Sequence, residues 1–238
     1  MENDKLNLIA MDLDGTLTQH KSKLDNVCRD ILNKLSHHYR LVMVCAGSCE
    51  RVYRQMEGFP IDIIGNYGMQ RSTDQQGTLI MCEDHSAPVD HKLMTERVLM
   101  LREQLGLTEL YGDAIEFHAS GLVTFPLLGT SAPLDRKLAY DPDRRIRRSF
   151  HEQVKEVFQD YTVFIGGSSS FDIVPQPFNK HYALESYLDN IGISRDQVVY
   201  FGDDYGLGGN DENVYLSDIE FVCIDDYRQF PNIASSFL

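Results

Sequence analysis

Leu8-Ile9-Ala10-Met11-Asp12-Leu13-Asp14-Gly15-Thr16 is the stretch with the strongest structural signal in this chain. Its four apolar residues predict a buried strand, and two carboxylates separated by one residue follow directly. Such a pair suits a nucleophile and a proton carrier, and its like charges also attract a divalent cation. An acidic loop could carry the same letters by chance, so the interpretation depends on the rest of the chain.

Apolar strands and helical patterns alternate on either side of a different central region. Continuous apolar strands separated by helices predict a parallel sheet that is covered on both faces. The predicted strands are Leu8–Met11, Leu41–Cys45, Ile61–Ile64, Gln197–Phe201 and Glu220–Ile224. The predicted helices between them are Val27–Leu35, Ser48–Glu57 and Lys180–Asp189.

The central region, residues 79–176, mixes strands and helices without strict alternation. A helical pattern covers Val89–Leu105, and Asp141-Pro142 is a typical helix start, with Asp as N-cap and Pro at the first position. Four short strand patterns surround these helices. The sequence therefore predicts an α/β fold: a Rossmann-like core over residues 1–78 and 177–238, with an inserted α+β domain over 79–176.

Composition limits the partners of this protein. The chain has 238 residues and a formal net charge of −14, which argues against binding nucleic acid. No apolar run approaches the roughly 20 residues of a membrane span, and the polar N-terminus does not resemble a secretion signal. The five cysteines are odd in number and unevenly spaced, as is typical of reduced thiols. We therefore expect a cytoplasmic protein that acts on a small molecule.

Further polar groups follow the predicted strands. Ser48 follows the second strand within Ala46-Gly47-Ser48, and Asp203 and Asp204 follow a late strand. Ligands of open parallel sheets bind beyond the carboxyl ends of the strands, so these groups should meet Asp12 and Asp14 there. Taken alone, Ser48 could be an ordinary N-cap and Lys180 an exposed surface lysine.

These motifs, in this order, resemble the haloacid dehalogenase (HAD) superfamily, and more narrowly its Cof-type branch, in which an α+β cap is inserted after the third strand. Within that branch the chain is similar to the eukaryotic-type phosphomannomutases. The similarity rests on Gly166-Gly167, on Ser170 to Ile173, on Asn179-Lys180, and on the two stretches Phe201-Gly202-Asp203 and Gly208-Gly209-Asn210-Asp211.

The resemblance implies a role for each candidate residue. Asp12 would attack phosphorus to form an aspartyl-phosphate, and Asp14 would give and take the proton. Mg²⁺ would be held by Asp12, the backbone carbonyl of Asp14 and Asp203, with help from Asp204, while Ser48 and Lys180 would bind the phosphoryl oxygens. The substrate, a small phosphorylated sugar, would contact Gly15, Thr16, Lys21, Gly47, Lys137, Ser170, Asp172 and Asn210. Relatives often pair through their caps, so a homodimer is a further expectation.

The sequence leaves three interpretations of the function open. In the family, cap arginines grip a second phosphate, and an unaligned comparison puts Ala119 and Thr130 at two of their positions. Hydrogen bonds to charged groups contribute roughly 1.5–3 kcal/mol each, so losing two donors favours a phosphatase that hydrolyses a sugar monophosphate. Phosphomannomutase activity is the alternative. A non-catalytic sugar-phosphate sensor is a third reading, disfavoured because the nucleophile and the acid/base residue are both present.

Overall fold

A computed structural model describes residues 5–238 and divides the chain into two units. The first unit combines the residues up to Asp84 with Asn179–Gly206 and Asp211–Leu238. The second unit comprises His85–Phe178 together with Leu207–Asn210. The first unit thus extends beyond residue 78, where the sequence placed its boundary, and the second also takes in a short loop near the C-terminus.

Residues 5–238 form eleven strands and eight α-helices. The strands are β1 (Leu8–Met11), β2 (Arg40–Val44), β3 (Asp62–Gly65), β4 (Gln70–Gln75), β5 (Thr78–Asp84), β6 (Glu116–Phe117), β7 (Val123–Pro126), β8 (Tyr161–Gly166), β9 (Ser170–Pro175), β10 (Val198–Gly202) and β11 (Glu220–Cys223). The helices are α1 (Asn26–Leu35), α2 (Cys49–Gln55), α3 (His91–Gln104), α4 (Leu134–Tyr140), α5 (Arg145–Val157), α6 (Lys180–Ile191), α7 (Glu212–Tyr215) and α8 (Phe230–Ala234). Among the helices of this described part, none combines the length and apolarity needed to cross a membrane.

The sheet of the first unit has the order β11-β10-β1-β2-β3-β4-β5. The strands from β11 to β3 run parallel, with Leu8 of β1 paired to Val198 of β10 and to Arg40 of β2. This confirms the predicted α/β fold and its mainly parallel sheet. The antiparallel hairpin of β4 and β5 was not predicted: β4 is polar, and the apolar run of β5, Leu79 to Cys82, is largely exposed in the structure.

Helices cover both faces of this sheet. On one face, α1, α2 and α8 bury apolar side chains such as Leu32, Val52 and Phe230 against β1 and β2. On the other face, α6 contributes Leu184 and Leu188 to a second apolar cluster. Because both faces are covered, the ends of the parallel strands are where polar side chains can collect.

The second unit is an antiparallel sheet of order β6-β7-β9-β8, with α3 and α5 packed on one face. The predicted helix start at Asp141-Pro142 is wrong, because α5 begins at Arg145. The Asp141 carboxylate still accepts bonds from the first turn, from the backbone N–H groups of Ile146 (2.9 Å) and Arg147 (3.0 Å). It also pairs with the buried Arg147 guanidinium at 2.9 Å, which ties the helix start to the loop before it.

Candidate active site

Three carboxylates meet at the carboxyl ends of the central strands. Asp12 follows β1, Asp203 follows β10, and Asp211 precedes α7. One oxygen from each lies within 4.8 Å of the others. The sequence led us to expect Asp12 and Asp203 here. The third carboxylate is Asp211, to which the sequence interpretation gave no role, whereas the side chains of Asp14 and Asp204 do not belong to this group.

Lys180 is the cation of the cluster. It is the first residue of α6, its side chain is fully buried, and its Nζ lies 2.9 Å from Asp12 Oδ1 and 2.8 Å from Asp211 Oδ1. Burial alone would lower the pKa of this ammonium, but the charges of Asp12 and Asp211 raise it above its usual value. The alternative of an exposed surface lysine is therefore wrong, and Lys180 stays charged beside Asp12.

Asp211 holds the cluster together through both of its oxygens. Oδ1 accepts from Lys180 and from the Tyr200 hydroxyl at 2.7 Å. Oδ2 accepts from the backbone N–H groups of Asp203 at 3.2 Å and Asp204 at 3.1 Å. This explains why a carboxylate can be fully buried here, and it fixes the loop that carries Asp203. Asp204 is itself 4% exposed.

The charge of the cluster fits a divalent cation. When ionised, Asp12, Asp203 and Asp211 carry −3 and Lys180 carries +1, which leaves −2. Burial, together with the charges of Asp211 and Asp203, raises the pKa of Asp12 to about 8 despite the opposing charge of Lys180. Clustered carboxylate oxygens are the donors that Mg²⁺ prefers, so the residues present suit this ion.

Gly15 makes room for Asp203. It has φ +100°, and a Cβ at this position would lie 2.5 Å from Asp203 Oδ2. The next residue, Thr16, donates its hydroxyl to Asp203 Oδ1 at 3.2 Å. Both were predicted to contact substrate, a role that stays a prediction. What they do in this structure is support the carboxylate cluster.

The carboxylate of Asp14 turns toward α2. Arg51 Nη1 donates to Asp14 Oδ2 at 2.8 Å, and Gln55 Nε2 donates to Oδ1 at 2.7 Å. The backbone N–H of Lys21 also donates to Oδ1, at 2.6 Å. Burial would raise the pKa of Asp14, but Arg51 and His20 outweigh it and the pKa is lowered. Lys21 thus reaches Asp14 through its backbone, while its predicted role toward substrate remains a prediction.

Ser48 has the structural role that the sequence left open. It is the N-cap of α2, and its hydroxyl accepts from the Arg51 N–H at 3.3 Å. The carbonyl of Gly47 accepts from the Asn66 N–H at 2.9 Å. Phosphoryl binding by Ser48 and substrate contact by Gly47 stay predictions beside these structural roles.

The remaining candidates lie in the second unit. The Thr124 hydroxyl donates to Asp172 Oδ1 at 3.2 Å, and the Ser170 hydroxyl donates to the carbonyl of Gly166 at 2.9 Å. Lys137 Nζ donates to the carbonyl of Thr130 at 2.9 Å. Asn210 Oδ1 is buried, and the described part of the chain offers it no hydrogen-bond partner. Substrate contact by Lys137, Ser170, Asp172 and Asn210 stays a prediction.

Three residues of the site were missed by sequence reasoning. Arg51 and Gln55 lie four apart in a helical pattern, so a shared face was visible but its orientation toward Asp14 was not. Asp211 ends the Gly208-Gly209-Asn210-Asp211 stretch, which by composition alone is a polar loop. Only the fold shows that its carboxylate returns to β1 and β10.

The chain is similar in sequence to known proteins over most of its length. The family profile described as eukaryotic phosphomannomutase matches residues 30–223. Phosphomannomutase 1 of Mus musculus is 26% identical over 220 residues, covering 87% of this chain and 82% of its own length. Phosphomannomutase of Saccharomyces cerevisiae is 25% identical over 224 residues, covering 89% and 85%. Both similarities extend over most of the two units.

Solved structures share the fold at lower identity. An IMP-bound IMP-nucleotidase of Plasmodium falciparum superposes with a TM-score of 0.73 at 13% identity, covering 98% of this chain and 68% of its own. A protein of Thermoplasma acidophilum gives a TM-score of 0.62 at 13% identity, covering 98% of both chains. At identities this low, the similarity shows the fold and carries no information about the substrate.

Proposed function

Because the chain belongs to the eukaryotic phosphomannomutase family, we propose that it is a Mg²⁺-dependent phosphomutase that moves a phosphoryl group between positions 1 and 6 of a hexose, mannose first. The chain is an enzyme of the HAD type, acting as a phosphohydrolase or a phosphomutase. Similarity to phosphomannomutases over 87% of the chain is the observation that carries the finer proposal. It favours the mutase alternative over the phosphatase that the missing arginines suggested.

The cluster suits phosphoryl transfer through a covalent intermediate. An oxygen of Asp12 attacks phosphorus, and the bond from phosphorus to the sugar oxygen breaks. The departing oxygen takes its proton from Asp14. In the second half, Asp14 takes a proton from the other sugar hydroxyl, which then accepts the phosphoryl group from Asp12.

Positive charge lowers the barrier to attack by Asp12 on an anionic phosphate. Lys180 supplies such a charge 2.9 Å from Asp12, and its ion pairs with Asp12 and Asp211 keep it in place. Mg²⁺, when held by Asp12 and Asp203, would supply further charge neutralisation of the phosphoryl oxygens, while Asp211 keeps these two carboxylates in place. Much of the catalysis then comes from placement and electrostatics.

A mutase must also hold a second phosphate, and the missing arginines bear on this need. In the second unit, the Lys137 ammonium lies 2.9 Å from the carbonyl of Thr130, one of the two positions where the family comparison expected an arginine. The Lys137 ammonium therefore brings a positive charge to position 130, although the side chain of Thr130 is uncharged. This supports retention of a distal-phosphate site in the proposed mutase, with a lysine in place of an arginine.

The direct test supplies mannose 1-phosphate with Mg²⁺ and a trace of hexose 1,6-bisphosphate, and measures mannose 6-phosphate and free phosphate together. The proposal expects the isomer to form faster than free phosphate. The Asp12→Asn variant, which keeps the shape of the nucleophile but lacks its charge, should produce neither. Release of free phosphate without formation of mannose 6-phosphate would instead show that the enzyme is a phosphatase. Binding of the sugar phosphate without either product would instead indicate a sensor.

A further inference from the structure

Helix α2 presents two side chains to the acid/base residue. Arg51 and Gln55 are four residues apart, so they lie on one face of the helix. Arg51 bonds to Oδ2 of Asp14 and Gln55 to Oδ1, and the two are joined by a bond from Arg51 Nη1 to Gln55 Oε1 at 2.8 Å. Both oxygens of one carboxylate are therefore fixed from a single helix face.

The arrangement around Arg51 depends on local sequence on both sides. A Cβ on Gly47 would lie 2.0 Å from Arg51 Nη2, so the guanidinium occupies space that only a glycine leaves open. Gln55 is 7% exposed, and its Nε2 also donates to Thr18 Oγ1 at 3.1 Å, which restricts its rotation. An arginine that merely extends into solvent would need neither the space beside Gly47 nor a restricted Gln55 as its neighbour.

The proton transfer assigned to Asp14 requires its carboxyl group to stay in one orientation. When the bond between phosphorus and the sugar oxygen breaks, the electron pair stays on that oxygen, which takes the proton from Asp14. Asp14 is then a carboxylate, and Arg51 and Gln55 donate to the oxygens that carry its new charge. On the return step, Asp14 recovers a proton from the attacking hydroxyl while held by the same donors.

We propose that Arg51 and Gln55 are positioning residues that hold Asp14 for proton transfer to and from the sugar oxygen. This inference rests on the acid/base role of Asp14 in the proposed function. It assigns a role to α2 that is separate from phosphate binding at its N-terminus. It also explains why α2 carries two long polar side chains on one face.

Leaving-group dependence tests the proposal, because protonation by an acid matters only to a poor leaving group. In 4-nitrophenyl phosphate the phenolate departs as a stable anion, whereas in 4-methoxyphenyl phosphate it benefits from a proton. The value of kcat/KM reports the step that forms the aspartyl-phosphate, so the ratio of the two values measures use of the acid. The variants are Arg51→Met, Arg51→Lys and Gln55→Met, with Arg54→Met, exposed on the same helix, as the matched control.

In Arg51→Met we expect kcat/KM for the methoxyphenyl ester to fall about 10- to 100-fold, and that for the nitrophenyl ester by less than about 3-fold. The first loss is part of the roughly 10²- to 10⁴-fold that general acid catalysis supplies, because Gln55 still holds Asp14. Gln55→Met should show a smaller change in the same direction. Arg51→Lys should restore most of the ratio, because an ammonium can still donate to Oδ2. Arg54→Met should behave as wild type.

Equal losses on both esters would overturn the positioning role and assign Arg51 to phosphate binding or to folding, which thermal unfolding of the variant separates. Because the assay uses aryl esters, it does not depend on the hexose. A wild type that hydrolyses them with Mg²⁺ but does not isomerise mannose 1-phosphate would overturn the mutase proposal and leave the role of Arg51 to be decided by the ratio. A wild type that hydrolyses neither ester and does not isomerise mannose 1-phosphate would overturn both.

Discussion

Replacing Asp211 by asparagine should destabilise the protein far more than the same change at the surface. An asparagine has one oxygen, so it can accept either from Lys180 and Tyr200 or from the two backbone N–H groups, while its amide NH₂ faces the other pair of donors. Two bonds are lost, at roughly 1.5–3 kcal/mol each where a charge takes part. Relief of repulsion with Asp12 and Asp203 returns part of this. The net cost should be about 2–4 kcal/mol.

Urea unfolding in EDTA near neutral pH, followed by far-ultraviolet circular dichroism, measures this cost. Asp218→Asn is the control, because Asp218 is 69% exposed and pairs with Arg195 at the surface, where an ion pair is worth about 0–1 kcal/mol. If Asp211→Asn cost no more than Asp218→Asn, the buried network around Asp211 would not be what holds the cluster.

Three further predictions concern the metal, the lysine and the second unit. Mg²⁺ should raise the Tm of wild type by mass action, and Asp203→Asn should lose most of this shift; an undiminished shift in that variant would place the ion elsewhere. Lys180→Met should lower kcat for the isomerisation at least about 100-fold, because a charge beside the nucleophile is removed, and near-normal turnover would exclude Lys180 from the transfer step. In the second unit, burial would raise the pKa of Asp141, but its hydrogen bonds with Arg147 lower that pKa below the usual value. The ionised Asp141 therefore stabilises the fold above the usual carboxyl pKa of about 4, and this stabilisation is lost as the pH falls through the lower pKa of the folded state. Asp141→Asn should therefore show a weaker loss of stability in acid than wild type when urea unfolding is compared between about pH 3 and pH 6, and identical pH dependence would contradict this.

Strand patterns predicted most of the first unit because its central strands are continuous apolar runs. The predicted first strand, Leu8–Met11, is identical to β1, and the parallel order around it places Asp12 and Asp203 at one edge, as expected. The hairpin of β4 and β5 was missed for two reasons: β4 has no apolar residue, and the short apolar run of β5 has a polar partner strand instead of a helical pattern beside it.

The site residues that directly follow strands could be predicted, whereas those that a loop or helix brings back to the strand ends could not. Asp211 reaches the cluster because the loop after Asp203 folds back, bringing a carboxylate eight residues later in the chain onto the backbone N–H of Asp203. Arg51 reaches Asp14 because Gly47 lets the guanidinium lie against the backbone. Both are tertiary contacts, and local propensity carries no information about them.

Covalent phosphorylation of Asp12 is the step on which the proposed transfer depends. Wild-type enzyme with Mg²⁺ should be labelled with hexose 1,6-bisphosphate carrying a radioactive phosphorus, quenched in acid, reduced with borohydride and sequenced by mass spectrometry. Reduction of an aspartyl-phosphate yields homoserine, and we expect it at position 12 alone. Homoserine at another position, or its absence from an enzyme that is isomerising the substrate, would contradict the account.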